Sequence, residues 1–140
     1  MKVKDLKKQL FLHWPKLPHV WLKSKDYHIP ELEEISNIIP LSGVREVPYQ
    51  DGKMECENYA LFLHAFVKKH YLGLPHKHQV AFGEVLGLRM ETVGYNKSHA
   101  MNIVITQQGV YLIEPQTYQI VKPAKGIRPK DRNLVYKVVM

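Results

Sequence analysis

Between Asn58 and His70 the chain reads NYALFLHAFVKKH, a run of strong helix formers and aromatics that is apolar on most sides of a helix. A helix of that kind has to be covered nearly all round. The segment YLGLP follows, and Gly73 and Pro75 stop the helix there. The character of the chain then changes. HQVAFGEVLGL, AMNIVIT, GVYLIEP, YQIV and NLVYKVV are short, rich in β-branched and aromatic residues, and bounded by turn signals such as Gly109 and Pro115. They predict up to five strands, mostly antiparallel. Helices first and strands after define an α+β fold in which a mostly antiparallel sheet packs on a central buried helix.

The residues ahead of that helix are less regular. Val3, Leu6 and Leu10 among lysines give a short amphipathic helix over residues 1–12. From Trp14 to Pro30, three prolines alternate with Trp14, Trp21 and Tyr27, and no period survives, which predicts an irregular, aromatic-rich wrap. IPELEEISNIIP starts at Pro30, places Glu31, Glu33 and Glu34 at the positive end of a helix dipole, and ends by Pro40. The turn formers Gly43, Pro48, Asp51 and Gly52 make the following stretch a loop that leads into Cys56. With 140 residues, the chain is expected to be a single domain, with residues 1–40 as an N-terminal helical and aromatic extension to a core at 50–121.

Charge is distributed unevenly. Residues 1–25 carry seven Lys against Asp5, and residues 122–140 carry six Lys and Arg against Asp131, so the segment between them is mildly acidic although the whole chain is +7. An acidic partner would meet the basic ends first. Lysines interleaved with Phe11, Trp14 and Trp21 also suggest a single-stranded nucleic-acid surface, but a solvated amphipathic helix followed by core aromatics is the favoured reading. One cysteine cannot form an internal disulfide, and the first twenty residues lack an uninterrupted apolar secretory segment. A reduced, cytoplasmic protein with no membrane span is expected. The sequence gives no reason to expect a cofactor, and His76-x-His78 without supporting ligands is a weak metal signal.

The one cysteine sits where the loop meets the apolar helix, a place where the helix dipole lowers a thiol pKa. Glu55 and Glu57 oppose this, because they disfavour an anion between them. A nucleophile also needs a base, and His99, in SHAMNIVIT at the start of a strand, is the best placed of eight histidines. Glu114, on the following strand beyond the Gly109 turn, could orient the imidazole; Gln116 could do so as a neutral group, and Asn102 less easily. The backbone N–H of Cys56 and the amide of Gln50 would serve as oxyanion donors. His64, within the apolar helix, reads as a hydrogen-bonded core histidine.

These residues carry a resemblance. CENYALFLHAF resembles the cysteine-bearing helix start of transglutaminase-like proteins, which belong to the broader papain-like cysteine-protease fold. SHAMNIV resembles the histidine motif of that group, and GVYLIEPQT resembles its acidic motif, more closely in the Glu-Pro-Gln form of the papain-like domain attached to some fungal lectins. Met101 stands where the family has Trp, and Glu114 where it has Asp. The resemblance implies a papain-like fold and a triad of Cys56, His99 and Glu114 or Gln116. It implies cysteine-dependent acyl transfer on a peptide or protein substrate, as a peptidase or amidase, or as a transglutaminase if an amine resolves the acyl-enzyme. The alternative is a non-catalytic binding domain that keeps the fold.

Overall fold

The structure is a computed structural model and describes residues 1–94 and 97–140. Three α-helices are present among them: α1 (Val3–His13), α2 (Leu32–Ile38) and α3 (Cys56–Leu72). The strands are β1 (His19–Trp21), β2 (Tyr27–His28), β3 (Gln79–Val80), β4 (Phe82–Leu88), β5 (Ser98–Thr106), β6 (Gly109–Glu114), β7 (Gln119–Val121) and β8 (Leu134–Val139). Six of them form one sheet in the order β1-β8-β4-β5-β6-β7, with β2 and β3 as a separate parallel pair. Within the large sheet every ladder is antiparallel except β1 on β8.

The sheet, not the helix, is the middle layer. In β5 every residue after Ser98 is buried, because the strand is covered on both faces and its side chains alternate between two cores. Met101, Ile103 and Ile105 join Leu6, Leu10 and Trp14 of the α1 side. Val104 joins Leu63 and Val67 of α3, with Ile35 of α2 in the same cluster. The expected central buried helix is therefore corrected. α3 lies on one face of the sheet and leaves Leu61 and Phe62 about half exposed (49% and 47%). A helix flanking a sheet buries only one stripe, and here it is Tyr59, Ala60, Leu63, Val67 and Tyr71.

The N-terminal forty residues are integral to this architecture. α1 covers the second face of the sheet, and the segment expected to be an irregular wrap contains two short parallel strands. Each is paired to a partner distant in sequence: His19–Trp21 to Lys137–Val139, and Tyr27–His28 to Gln79–Val80. Trp14 is buried at 1% exposure, and its indole N–H donates to the carbonyl of Asn133 at 2.9 Å. It is not available to stack on a base, and Lys2 and Lys8 are paired with Asp26 and Asp5. The expected role of the basic, aromatic N-terminus as a partner surface is accordingly not supported.

β4 and β8 approach closely at two glycines. A Cβ on Gly83 would lie 2.0 Å from the carbonyl oxygen of Val139, and one on Gly87 would lie 2.7 Å from the carbonyl oxygen of Leu134, beside the register shift at Leu86/Gly87. Backbone contact of this kind cannot be relieved by turning a side chain. Gly83→Ala is expected to cost about 3 kcal/mol and to lower the urea midpoint by roughly 1–2 M. An unchanged midpoint would mean that β4 and β8 are not held this close.

Candidate functional site

The residues singled out in the sequence lie where the N-terminus of α3 meets the ends of β5 and β6. Cys56 is the first residue of α3, and Glu55 is its N-cap in a reciprocal box with Asn58, which satisfies backbone donors the helix cannot pair itself. The Glu55 carboxylate also accepts from the N–H of Gly52 at 3.0 Å. The preceding turn closes between Gln50 and Met54, with Gly52 in the left-handed region at φ 68°. Gln50 is exposed on this turn and does not line the cavity beside Cys56.

That cavity is open and about 590 Å³. Cys56 and His99 both border it, together with Tyr49, Glu57, Ser98 and Gln116, but no hydrogen bond joins the thiol to the imidazole. The Cys56 thiol donates to Glu57 Oε2 at 3.3 Å. Burial pushes its pKa up, and the Glu57 carboxylate pushes it further, while the backbone amide of Ala100 pulls only part of the way back. The geometry disfavours a thiolate.

His99 is bound elsewhere. Its Nε2 makes a short hydrogen bond to Glu114 Oε2, and both side chains are almost fully buried. The two are not directly opposite, since Asn102 faces Ile113 in the β5–β6 ladder, so Glu114 reaches His99 diagonally. The same carboxylate accepts from Thr92 Oγ1 at 3.1 Å and from the backbone N–H of Gln116 at 3.1 Å. Alternation places His99 on the Met101 and Ile103 face of β5, while Asn102 on the other face donates to the carbonyl of Ala60 in α3 at 2.8 Å. Glu114 is thus the acceptor for His99, and Gln116 contributes its backbone N–H and a side chain in the cavity wall. His64 Nδ1–H donates to the Glu84 carboxylate at 2.7 Å, and His64 lines a different cavity.

Thr92, Tyr49 and Lys97 complete the surroundings, and sequence reading did not single them out. Tyr49 precedes the Asp51-Gly52 turn and is 58% exposed beside the cavity. A turn signal next to a lone aromatic marks such a position, whereas nothing local to Thr92 announces its contact with Glu114.

No protein-family model and no curated protein matches the chain. Several solved chains do match its fold. The chain is similar to the "PSL1a-E64 complex", at 17% identity and TM-score 0.79, covering 100% of this chain and 50% of that one. It is also similar to the Polyporus squamosus lectin bound to the human-type influenza-binding epitope Neu5Aca2-6Galb1-4GlcNAc, at 18% identity and TM-score 0.74, covering 98% and 48%. The chain spans about half the length of these solved chains, and at such identities the likeness establishes the fold alone. The expected membership of the transglutaminase-like and papain-like cysteine proteases is not borne out by these matches, one of which is a lectin. Nor do they support the expected cysteine-dependent peptidase, amidase or transglutaminase activity, which needs a thiol–imidazole pair, whereas the thiol here is hydrogen-bonded to Glu57.

The His99–Glu114 pair ties β5 to β6 and to Thr92 in a buried setting where a lone partner would be left unsatisfied. Removing one member of such a pair costs about 3–5 kcal/mol. Glu114→Ala is expected to fall in that range and Glu114→Gln well below it, because the amide still offers His99 an oxygen. Urea unfolding of the two variants checks this; losses near zero in both would show that the pair holds nothing together.

Proposed function

We propose that this chain is a non-catalytic binding domain that takes a carbohydrate in the cavity bordered by Tyr49, Ser98, Gln116 and the α3 N-terminus. The observation that carries this reading is the chemistry of the cavity wall. An exposed aromatic stands beside an amide, a hydroxyl and carboxylates. An aromatic face accepts the C–H side of a sugar ring, and the planar polar groups meet its hydroxyls as donors and acceptors. The Tyr49 hydroxyl is protonated and a donor at neutral pH, as tyrosine ordinarily is. The likeness to a lectin bound to the trisaccharide Neu5Aca2-6Galb1-4GlcNAc supports the ligand class. The Cys56 thiol, hydrogen-bonded to Glu57 and held above its ordinary pKa by burial, fits a binding role better than a nucleophilic one.

A shallow, open site of this kind is expected to bind weakly, with Kd of about 1 mM, or roughly −4 kcal/mol. Titration with the neutral disaccharide Galβ1-4GlcNAc, followed by amide chemical shifts, should give saturable changes at Tyr49, Ser98 and Gln116. Tyr49→Ala should weaken binding at least tenfold without altering the urea midpoint. Absence of saccharide-dependent shifts at this cavity would sink the proposal.

The thiol gives an independent check. Alkylation of Cys56 against pH should report an apparent pKa above the free-thiol value of about 8.5. It should fall in Glu57→Gln, since one like charge is removed, and stay unchanged in His99→Gln. A depressed value that rose when His99 was replaced would overturn the non-catalytic reading.

A further inference from the structure

A second cavity, about 620 Å³, lies at the other end of α3. Its apolar wall is formed by Tyr71, Leu72, Val80 and Met140, and Lys23, Lys68 and Lys77 converge on it from three separate segments. Among the described residues, none of these lysines has a carboxylate within ion-pair distance. Lys68 Nζ donates to Gln79 Oε1 at 3.1 Å and to the Val80 carbonyl at 3.0 Å. Both acceptors are neutral, and an ammonium carries three donors. Two carboxylates that contact lining residues are already engaged: Glu84 is hydrogen-bonded to His64 Nδ1, and Glu34 accepts from the Tyr71 hydroxyl at 3.4 Å.

We propose that this cavity binds an anionic amphiphile, with a carboxylate or phosphate head among Lys23, Lys68 and Lys77 and an apolar chain against Tyr71, Leu72 and Val80. Its volume suits a small molecule, and an apolar wall with a few convergent charged groups is the usual construction of such a site. Two further features fit. Burial and the neighbouring Lys23 lower Lys68 to about 8, as expected of a cation that lacks a counter-charge. Leu72 is 85% exposed at the rim, which leaves apolar surface for a chain to cover.

The test uses sodium octanoate, octyl phosphate and, as a neutral isostere of the same length, octanamide, each titrated into the intact chain by calorimetry with amide shifts recorded in parallel. Both anions are expected to bind saturably, with shifts at Lys68, Tyr71, Leu72 and Val80, and octanamide at least tenfold more weakly. Whichever anion binds tighter identifies the head group. Lys77→Gln and Lys23→Gln, both outside the packing of the core, should each weaken anion binding about three- to tenfold. Lys68→Met should abolish it, though that change also removes two hydrogen bonds to β3, so the other two variants decide. Octanamide binding as tightly as octanoate, or anion affinity unchanged in both glutamine variants, would overturn the proposal.

Discussion

The burial of β5 on both faces is the constraint from which the rest of the structure follows. Eight consecutive residues, His99 to Thr106, are removed from water, so the strand requires a helix layer on each side and a paired strand at each edge. α1 and α3 supply the layers; β4 and β6 supply the pairing. The one strongly polar side chain in the middle of this strand is Asn102, fully buried. It is kept there by donating to Ala60 of α3 and to Gly83 of β4 at once. Buried amides are tolerated only when bonded, and here the bonds fix the height of α3 on the sheet.

That placement decides what the N-terminus of α3 can do. Setting Ala60 over Asn102 brings Cys56 to the end of β5 and next to the Ala100 amide. His99, one residue along, projects to the other face by the two-residue alternation of a strand, where Glu114 and Thr92 hold it. Proximity in the chain and a shared cavity therefore do not give a nucleophile and base in hydrogen bond. A helix dipole at Cys56 is outweighed by burial and by Glu57, both of which act on the thiol at contact distance.

Much of the framework was legible in the residues. The α1 periodicity, the stop after α3 and the five β-rich segments correspond to observed elements because each depends on local pattern. The parallel pairs β1–β8 and β2–β3 were not legible: each joins residues far apart in sequence through two or three positions, too short to leave a period. The apolar run in α3 was over-read as a helix buried all round. The unbroken AMNIVIT run was the better clue, since a strand without alternation is one covered on both sides. At the candidate site, Cys56, His99 and Gln116 were placed at one cavity and Glu114 beside His99, whereas the exposure of Gln50 turned on the turn geometry at Gly52. The family inference failed for a different reason. Short motifs in the right order constrain the chain path, but the thiol's partner is set by side-chain orientation at the ends of two elements.

The charges on α3 sort the two cavities by chemistry. Acidic groups gather at its N-terminus, Glu55 and Glu57, and basic ones at its C-terminus, Lys69 and His70, as the helix dipole favours. The cavity at the first end therefore presents the carboxylates of Glu55 and Glu57 among hydroxyl and amide groups, with Lys97 in its wall, a polar mixture that suits a hydroxyl-rich ligand. The cavity at the second end gathers Lys23, Lys68 and Lys77 around an apolar wall, where the desolvation that weakens Lys68 as a cation also makes the arrival of an anion more favourable. One helix, laid on one face of a fully buried strand, thus carries two sites of different electrostatic character, with Cys56 at one and Lys68 at the other, about 18 Å apart at 1.5 Å per residue. That distance exceeds the Debye length of about 8 Å at physiological salt. Occupancy of one cavity should consequently leave the affinity of the other unchanged unless α3 itself shifts on the sheet.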